Sequence, residues 1–299
     1  MHFLHFAADR RNIMASMRDI QRRKVSVQST GQITKAMKLV STVKLQKARA
    51  RVESTKPYFN EMYEAVTSVL ARSGNVQHKY LKSYEDKKRA VIVISSNRGL
   101  AGGYNSNIVK LLTNNEEFSK DKVVLYTVGR KGRDSLTKKG YEIREDFSDV
   151  VENPMFSDAM HISATVLKAF EDGEIGEIYV AYTEFKNTVS HIPTMKKLLP
   201  VEAGDVEIKE DQKNILMNYE PDEEEVLDII IPKYISSLIF GGLTEAVASE
   251  NGARMVAMDS ATTNAEEMIG NLSLMYNRAR QASITQELTE IIAGAEAIG

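Results

Sequence analysis

The last stretch of the chain, residues 233–297, is the feature that most restricts the fold. It contains no proline, and apolar residues recur alternately three and four positions apart. This spacing is typical of a helix with a narrow apolar seam. The seam residues are Met258, Ala261, Ala265, Met268, Leu272, Met275, Ala279 and Ala282. A continuous helix over this stretch would be about 98 Å long. Because so thin a seam cannot bury itself, the helix needs a partner of similar length.

A second long helix is predicted over residues 17–73, after an extension, residues 1–16, that we expect to be disordered. Its apolar stripe is thin and consists of Ile33, Met37 and Val40, with Ala36, Val43 and Ala48 nearby. Gly31 weakens the helix by about 1 kcal/mol, so contacts outside the segment must hold it. Pro57 is expected to kink or interrupt the helix near Thr55. A linker follows from Gly74 to Lys88.

The two terminal helices carry opposite charges. Residues 18–51 hold ten Lys or Arg and one acid, whereas residues 245–299 hold eight acids and three bases. Opposite charge and matching narrow seams predict that the helices pair, and a compact middle would make the pair antiparallel. The alternative for the basic helix is a solvated charged face. Nucleic-acid binding has little support, because no aromatic residue interleaves with the bases.

The middle of the chain, residues 89–215, predicts a Rossmann-like α/β domain in which strands and helices alternate. Strands are predicted at 90–94, 123–128, 141–144, 178–182 and 189–199. Helices are predicted at 105–118, 130–139 and 157–171, with Gly140 after the second and Ser157 as the N-cap of the third. Residues 200–222 are expected to form a loop. The last helix is predicted over residues 222–299, with Asp222 at its start and a kink at Pro232.

Glycines follow two of the predicted strands, at the places where such folds bind phosphates. Residues 99–103 read Gly-Leu-Ala-Gly-Gly, and residues 129–132 read Gly-Arg-Lys-Gly. Neither has the Lys-Ser/Thr pair of a P-loop or the order G-x-G-x-x-G. We therefore interpret these glycines as tight turns, and no nucleotide or other cofactor is predicted.

Composition excludes several kinds of site. Disulfides and thiolate metal sites are excluded because the chain has no cysteine. The five histidines show no ligand spacing apart from His2 and His5 in the terminal extension, so no metal site is predicted. No apolar run approaches the ~18 residues of a membrane span, so no direct membrane insertion is expected. The formal net charge of −2 favours neither nucleic acid nor an anionic membrane as the main partner.

Three stretches resemble the gamma-subunit family of the rotary F-type ATP synthase, of the bacterial type. They are Gln32–Met37 near the start, Ala253–Met258 near the end and the longer tip motif Tyr276–Leu288. The resemblance covers essentially the whole chain from Met14 or Met17, including the order of helix, α/β domain and helix.

The resemblance implies a central-stalk rotor that is not catalytic by itself and has no cofactor. In this family the terminal helices form an antiparallel coiled coil inside a ring of three alpha and three beta subunits. The α/β domain lies beside the epsilon subunit and on the membrane c-ring, with one gamma per complex. Ion flow turns the c-ring and gamma with it, and this drives the beta subunits through their nucleotide states. The implied location is the cytoplasmic face of the bacterial membrane, as a peripheral protein.

The resemblance also implies which residues contact the alpha/beta hexamer. Met37 and Arg254 match neck contacts, and Arg280, Gln281, Thr285 and Glu287 match contacts near the tip. Met37 could instead be a seam residue that faces the other helix. A charge at Arg254, four residues before Met258, is costly on the seam, so it predicts an acidic partner in the coil or on a beta subunit. A tip lined with Ala, Ser and Thr, with few large apolar anchors, would suit rotation.

Two other classes of function are weighed against the rotor. A generic coiled-coil adaptor with a non-catalytic α/β domain would show the same seam without needing the long tip motif. A nucleotide-dependent enzyme would need a working phosphate loop within residues 89–215, which the glycine order does not support.

Overall fold

The computed structural model describes residues 2–72, 78–84, 86–201 and 223–296. Within the first helix, side chains are described over 17–69. The chain forms two compact units, one of Met1–Val40 with Ala257–Gly299 and one of Ser41–Val256. Predictions for Gly74, Asp222 and the loop from 202 to 222 lie outside the described residues.

Two long helices begin and end the described chain. Helix α1 is His2–Arg72, so it begins inside the segment predicted to be a disordered extension. Helix α5 is Glu223–Glu296 and contains Pro232, as predicted for a helix through that proline. The predicted interruption at Pro57 is wrong, because α1 continues through it. The proline removes only one backbone hydrogen bond, and Phe59, two residues later, packs against the core.

In the first unit, α1 and α5 run antiparallel. Thr34 Oγ1 lies 2.8 Å from Thr262 Oγ1, and Lys38 Nζ lies 2.6 Å from Asp259 Oδ1, so rising numbers in α1 meet falling numbers in α5. The inward positions of α1 are spaced three and four residues apart, as a paired helix requires. They are Met17, Ile20, Lys24, Val27, Gly31, Thr34 and Lys38.

The predicted apolar stripe of α1 is wrong for two of its three residues. Ile33 and Val40 are each 57% exposed, whereas Met37 is half-buried. In this part of α1 the contact face is instead lined by the small residues Gly31 and Thr34. The reason is close approach: a Cβ at Gly31 would lie only 3.3 Å from the Cβ of Ala265. Large apolar side chains do not fit between helices that are so near one another.

The predicted seam of α5 is correct at five of its eight residues and is displaced by one residue at the other three. Met258 and Ala265 are buried, whereas Met268 and Met275 are 53% and 57% exposed. The inward line runs through half-buried Thr262, Ile269, Leu272, Tyr276, Ala279 and Ser283, of which Leu272 and Ala279 are predicted seam residues. Both lines keep the 3-4 spacing, so periodicity alone does not choose between them.

The second unit contains a five-stranded sheet in the order β3-β2-β1-β4-β5. Strands β1 to β4 are parallel, and β5 runs antiparallel to β4. The strands are β1 Lys88–Ile94, β2 Val123–Val128, β3 Ile143–Asp146, β4 Ile175–Phe185 and β5 His191–Leu199. The helices between them are α2 Tyr104–Thr113, α3 Arg130–Lys138 and α4 Phe156–Glu171. This confirms the α/β domain and the approximate place of every predicted strand.

The sheet is covered on both faces, as expected for strands with continuous apolar runs. One core holds β1 side chains such as Ile92 with residues of α4, of α1 near Val66 and of α5 near Ile239. The other holds alternate β1 residues such as Val93 with α2, α3 and β2. Alternate side chains of one strand therefore serve two layers.

One helix, residues 224–296, has a window long and apolar enough to cross a membrane by composition, and 56% of that window is buried inside the protein. The expectation that no apolar stretch reaches this length is therefore wrong. Several apolar side chains of α5 lie in the core of the second unit, for example Ile235, Ile239 and Leu243, each at most 1% exposed.

Two local predictions need correction. The N-cap of α4 is Met155 rather than Ser157. There the Asp158 carboxylate accepts a hydrogen bond from the Met155 backbone N–H at 2.7 Å, which satisfies a free donor of the helix start. The predicted linker after α1 contains a short 3-10 helix, Lys79–Leu81, and Tyr80 is 3% exposed in the core.

Candidate functional site

Within the first unit, a groove lies between α1 and α5. It has a volume of about 570 Å³ and is lined from both helices, including Met17, Arg18, Arg22, Tyr276, Arg280 and Glu287. Two of the six predicted contact residues, Arg280 and Glu287, lie on this groove. The lining contains three arginines and one carboxylate, so the groove presents positive charge to any partner.

The other two tip residues lie outside the groove lining. Gln281 and Thr285 are exposed on α5. Thr285 offers its backbone carbonyl to the Thr289 hydroxyl at 2.9 Å. Side chains exposed on a helix surface are available to another chain, as the predicted contact residues must be.

The expectation that the tip has few large apolar anchors is wrong. Large apolar side chains in this part of α5 are between 48% and 67% exposed, and one of them, Ile284, also lines the groove. They are Leu274, Met275, Ile284, Leu288, Ile291 and Ile292. The tip is therefore apolar outside as well as inside.

Arg254 lies in the second unit, where its predicted acidic partner is Glu250. Arg254 Nη2 donates to Glu250 Oε1 at 2.6 Å, and the two side chains are 11% and 13% exposed. Burial raises the pKa of the Glu250 carboxyl, and the nearby guanidinium opposes that rise. The partner therefore lies in the same helix, one of the two possibilities that the sequence left open.

Arg254 also reaches the loop after β1. Its Nη2 donates a longer hydrogen bond, 3.4 Å, to the backbone carbonyl of Gly99. The sequence analysis missed Glu250 and this contact. An acid four residues before a charged seam residue was an available signal, since i,i+4 side chains face each other. The contact with Gly99 spans 155 positions and had no local signal.

The glycines after β2 use their backbone groups inside the protein. Ser95 Oγ accepts from the Gly132 N–H at 2.9 Å and donates to the Gly129 carbonyl at 2.9 Å. A Cβ on Gly129 would lie 2.4 Å from the Ser95 carbonyl oxygen. Glycine is thus required for close approach of two chain segments, which supports the interpretation as tight turns.

No group of three or more His, Cys, Asp or Glu side chains that could hold a metal ion occurs in the described part of the chain.

The comparisons with known proteins agree over nearly the full length. A family model described as ATP synthase matches residues 16–298. An ATP synthase gamma chain of Lachnoclostridium phytofermentans is 61% identical over 95% of this chain and 100% of that protein. An ATP synthase gamma chain of Acetobacterium woodii described as sodium ion specific is 44% identical, over 95% of this chain and 99% of that protein.

A solved structure resembles the fold. It belongs to the Euglena gracilis mitochondrial ATP synthase, in an assembly described as OSCP/F1/c-ring in rotational state 3. The TM-score is 0.69 at 22% identity, and 95% of each chain is covered. At this identity the likeness supports the fold of a sheet domain between two long helices.

Proposed function

The chain belongs to the family of ATP synthase gamma chains, and we propose that it is the central-stalk rotor of an F-type ATP synthase. It couples ion-driven rotation of a membrane c-ring to ATP synthesis or hydrolysis at the beta subunits. The observation that carries this proposal is that the chain is 61% identical to a gamma chain over that protein's entire length. The chain also has the two long paired helices that a central stalk needs.

The proposed assembly has three alpha and three beta subunits around one copy of this chain. The epsilon subunit and the c-ring lie against the second unit, at the cytoplasmic face of the membrane. The working parts are the helix segments 17–73 and 222–299 and the α/β domain 89–215. The chain itself has no catalytic role, a proposal supported by the glycine turn after β2, whose backbone groups bond to Ser95.

The proposed hexamer contacts are Met37, Arg254, Arg280, Gln281, Thr285 and Glu287. Exposure supports Arg280, Gln281 and Thr285 as residues that touch another chain directly. Arg254 is 11% exposed and already paired, so its part in the hexamer contact needs a different account.

Reconstitution tests the proposal. The chain is mixed with purified alpha, beta and epsilon subunits, and the complex is isolated and assayed for ATP hydrolysis and for rotation of a bead attached to the second unit. We expect one copy per hexamer and stepwise rotation during hydrolysis. A coiled-coil adaptor, the second candidate, would bind without turning, and failure to join a nucleotide-binding hexamer would refute the rotor assignment.

A further inference from the structure

The loop of residues 97–102, which follows β1, holds one residue in a strained conformation. Leu100 has φ +61, and it is the one residue other than glycine with a positive φ among the described residues. Leucine rarely adopts this region because its Cβ crowds the backbone. The side chain is also 65% exposed, so its burial within this chain does not compensate for the strain.

The two ends of this loop are held by side-chain hydrogen bonds. Ser96 Oγ donates to the carbonyl of Arg98 at 2.6 Å. Asn97 Nδ2 donates to the carbonyl of Ser148 at 2.8 Å. On the far side, the Asn105 side chain accepts from the Ser96 backbone N–H at 2.9 Å. These bonds fix the ends of the loop while leaving Leu100 at its tip.

The peptide group between Gly99 and Leu100 decides whether the strain persists. Rotation of this group changes ψ of Gly99 and φ of Leu100 together, so a flip would release Leu100 from its positive φ. The carbonyl of that same peptide accepts the hydrogen bond from Arg254 Nη2 at 3.4 Å. The charged donor therefore acts on the one group whose rotation would relax the loop.

Helix α5 supports the loop from three successive turns. Tyr104, just after the loop, donates its hydroxyl to the Ala246 carbonyl at 3.2 Å. Glu250 holds the guanidinium of Arg254 at 2.6 Å, and Arg254 reaches the Gly99 carbonyl. Ala246, Glu250 and Arg254 are four residues apart and so share one helix face. The buried pair thus orients the guanidinium toward the loop.

From this geometry we infer that Arg254 is a positioning residue. It holds the 97–102 loop so that the Leu100 side chain is presented to the alpha/beta hexamer. The inference rests on the proposed function and explains how a side chain that is 11% exposed contributes to a contact with the hexamer. Persistent strain at an exposed residue is typical of sites where the conformation is used.

Turnover of reconstituted complexes tests the inference through a double-mutant cycle. The variants are Arg254→Met/Glu250→Gln, which removes both buried charges, Leu100→Gly, which removes the presented side chain and the strain, and their combination. We expect each of the first two to slow ATP hydrolysis per assembled complex by roughly threefold to thirtyfold. The combination should be no slower than the slower of the two, because both act on one contact.

Hydrogen exchange supplies a second measurement on the full chain. Arg254→Met/Glu250→Gln should speed amide exchange in residues 97–104, because the peptide group is free to flip. Arg49→Gln is the matched control, since Arg49 and Glu53 form an i,i+4 pair at 2.9 Å in which both side chains are 64% exposed. It should leave exchange in that loop unchanged.

Two results would overturn the inference. If the effects of the Arg254 and Leu100 variants multiply, Arg254 makes a contact of its own. If loop exchange does not change, Arg254 does not hold the loop. Either result can occur while the wild-type complex hydrolyses ATP and turns, whereas failure of the wild-type complex to turn would refute the proposed function instead.

Discussion

Replacing Gly31 with valine should weaken the helix pair of the first unit, although valine is the better helix former. Gly31 lies on the inward face of α1, and a Cβ there would meet the Cβ of Ala265 at 3.3 Å. Carbon atoms prefer about 3.5–4.0 Å, and valine adds two methyl groups beyond that Cβ. The side chain must therefore push the helices apart.

The magnitude follows from two opposing effects. Valine gains about 0.4 kcal/mol of helix propensity over glycine. Overpacking of a closely fitted contact costs about 1–3 kcal/mol. We expect a net loss of about 0.6–2.6 kcal/mol in local stability for Gly31→Val. Adding Ala265→Gly removes the opposing methyl, so the coupling between the two substitutions should recover about 1–2 kcal/mol.

Native-state hydrogen exchange of the full chain measures this effect, because it reports the free energy of local opening. Amides near residue 31 and near residue 265 should exchange faster in Gly31→Val. Gly270→Val is the matched control: it lies on the same helix pair, and nothing lies within 4 Å of a Cβ there. The control should exchange slightly more slowly than wild type, by the propensity gain alone.

Two outcomes would refute the reasoning. One is equal exchange in Gly31→Val and Gly270→Val, which would mean that the helices do not constrain residue 31. The other is the absence of coupling with Ala265→Gly, which would mean that the opposing methyl is not the obstacle.

Three further predictions concern the chain's sites. Calorimetry should detect no binding of ATP or NAD to the full chain, because the glycine turns serve the fold. Gln281→Ala at the exposed tip should slow turnover of the reconstituted complex by about fivefold, through lost hydrogen bonds of about 1 kcal/mol. Glu171→Gln should make the free energy of unfolding fall less steeply as the pH is lowered into the acid range. The hydrogen bond from the Tyr80 hydroxyl lowers the pKa of Glu171 from 4.5, so its contribution is present above pH 4.5 and is lost as pH falls below it.

Each of these has a contradicting result. Micromolar nucleotide binding that Gly102→Ala/Gly103→Ala abolishes would restore a nucleotide site. Wild-type turnover in Gln281→Ala would remove that residue from the hexamer contacts. If urea unfolding of Glu171→Gln shows the same dependence of stability on acid pH as wild type, solvent screens the Tyr80–Glu171 interaction fully. The Glu171 side chain is 39% exposed, which makes such screening physically reasonable.

The sheet could be predicted from the sequence because its strands are buried on both faces. A run such as Val91–Ile94 has few alternatives once both sides must be apolar. The antiparallel direction of β5 could not be predicted, because it depends on pairing with β4 rather than on its own residues. The same holds for the Met155 cap, which depends on a carboxylate three positions later.

For the long helices, the three-and-four spacing of the seams could be predicted from the sequence, but not every residue that faces the partner helix. Near Gly31 the residues of α1 that face the partner are small, so the large apolar residues Ile33 and Val40 identified the wrong face. Ile33 is exposed, while Gly31 and Thr34 lie inside. Close packing depends on complementary side-chain volumes and not on hydrophobicity alone. The volume available beside Gly31 is limited by Ala265, which lies far away in the sequence.

The exposed apolar residues of the helix pair fit a rotor better than the expected tip lined with small side chains does. Hydrophobic contact has no direction and follows the area removed from water. An apolar surface such as that around Ile284 and Leu288 can therefore be held at many angles with similar affinity. Contacts that are equal at every angle shift no population of the surrounding subunits. The preference for particular angles must then come from directional groups, and for this chain we propose the arginines of the groove and the loop that Arg254 supports.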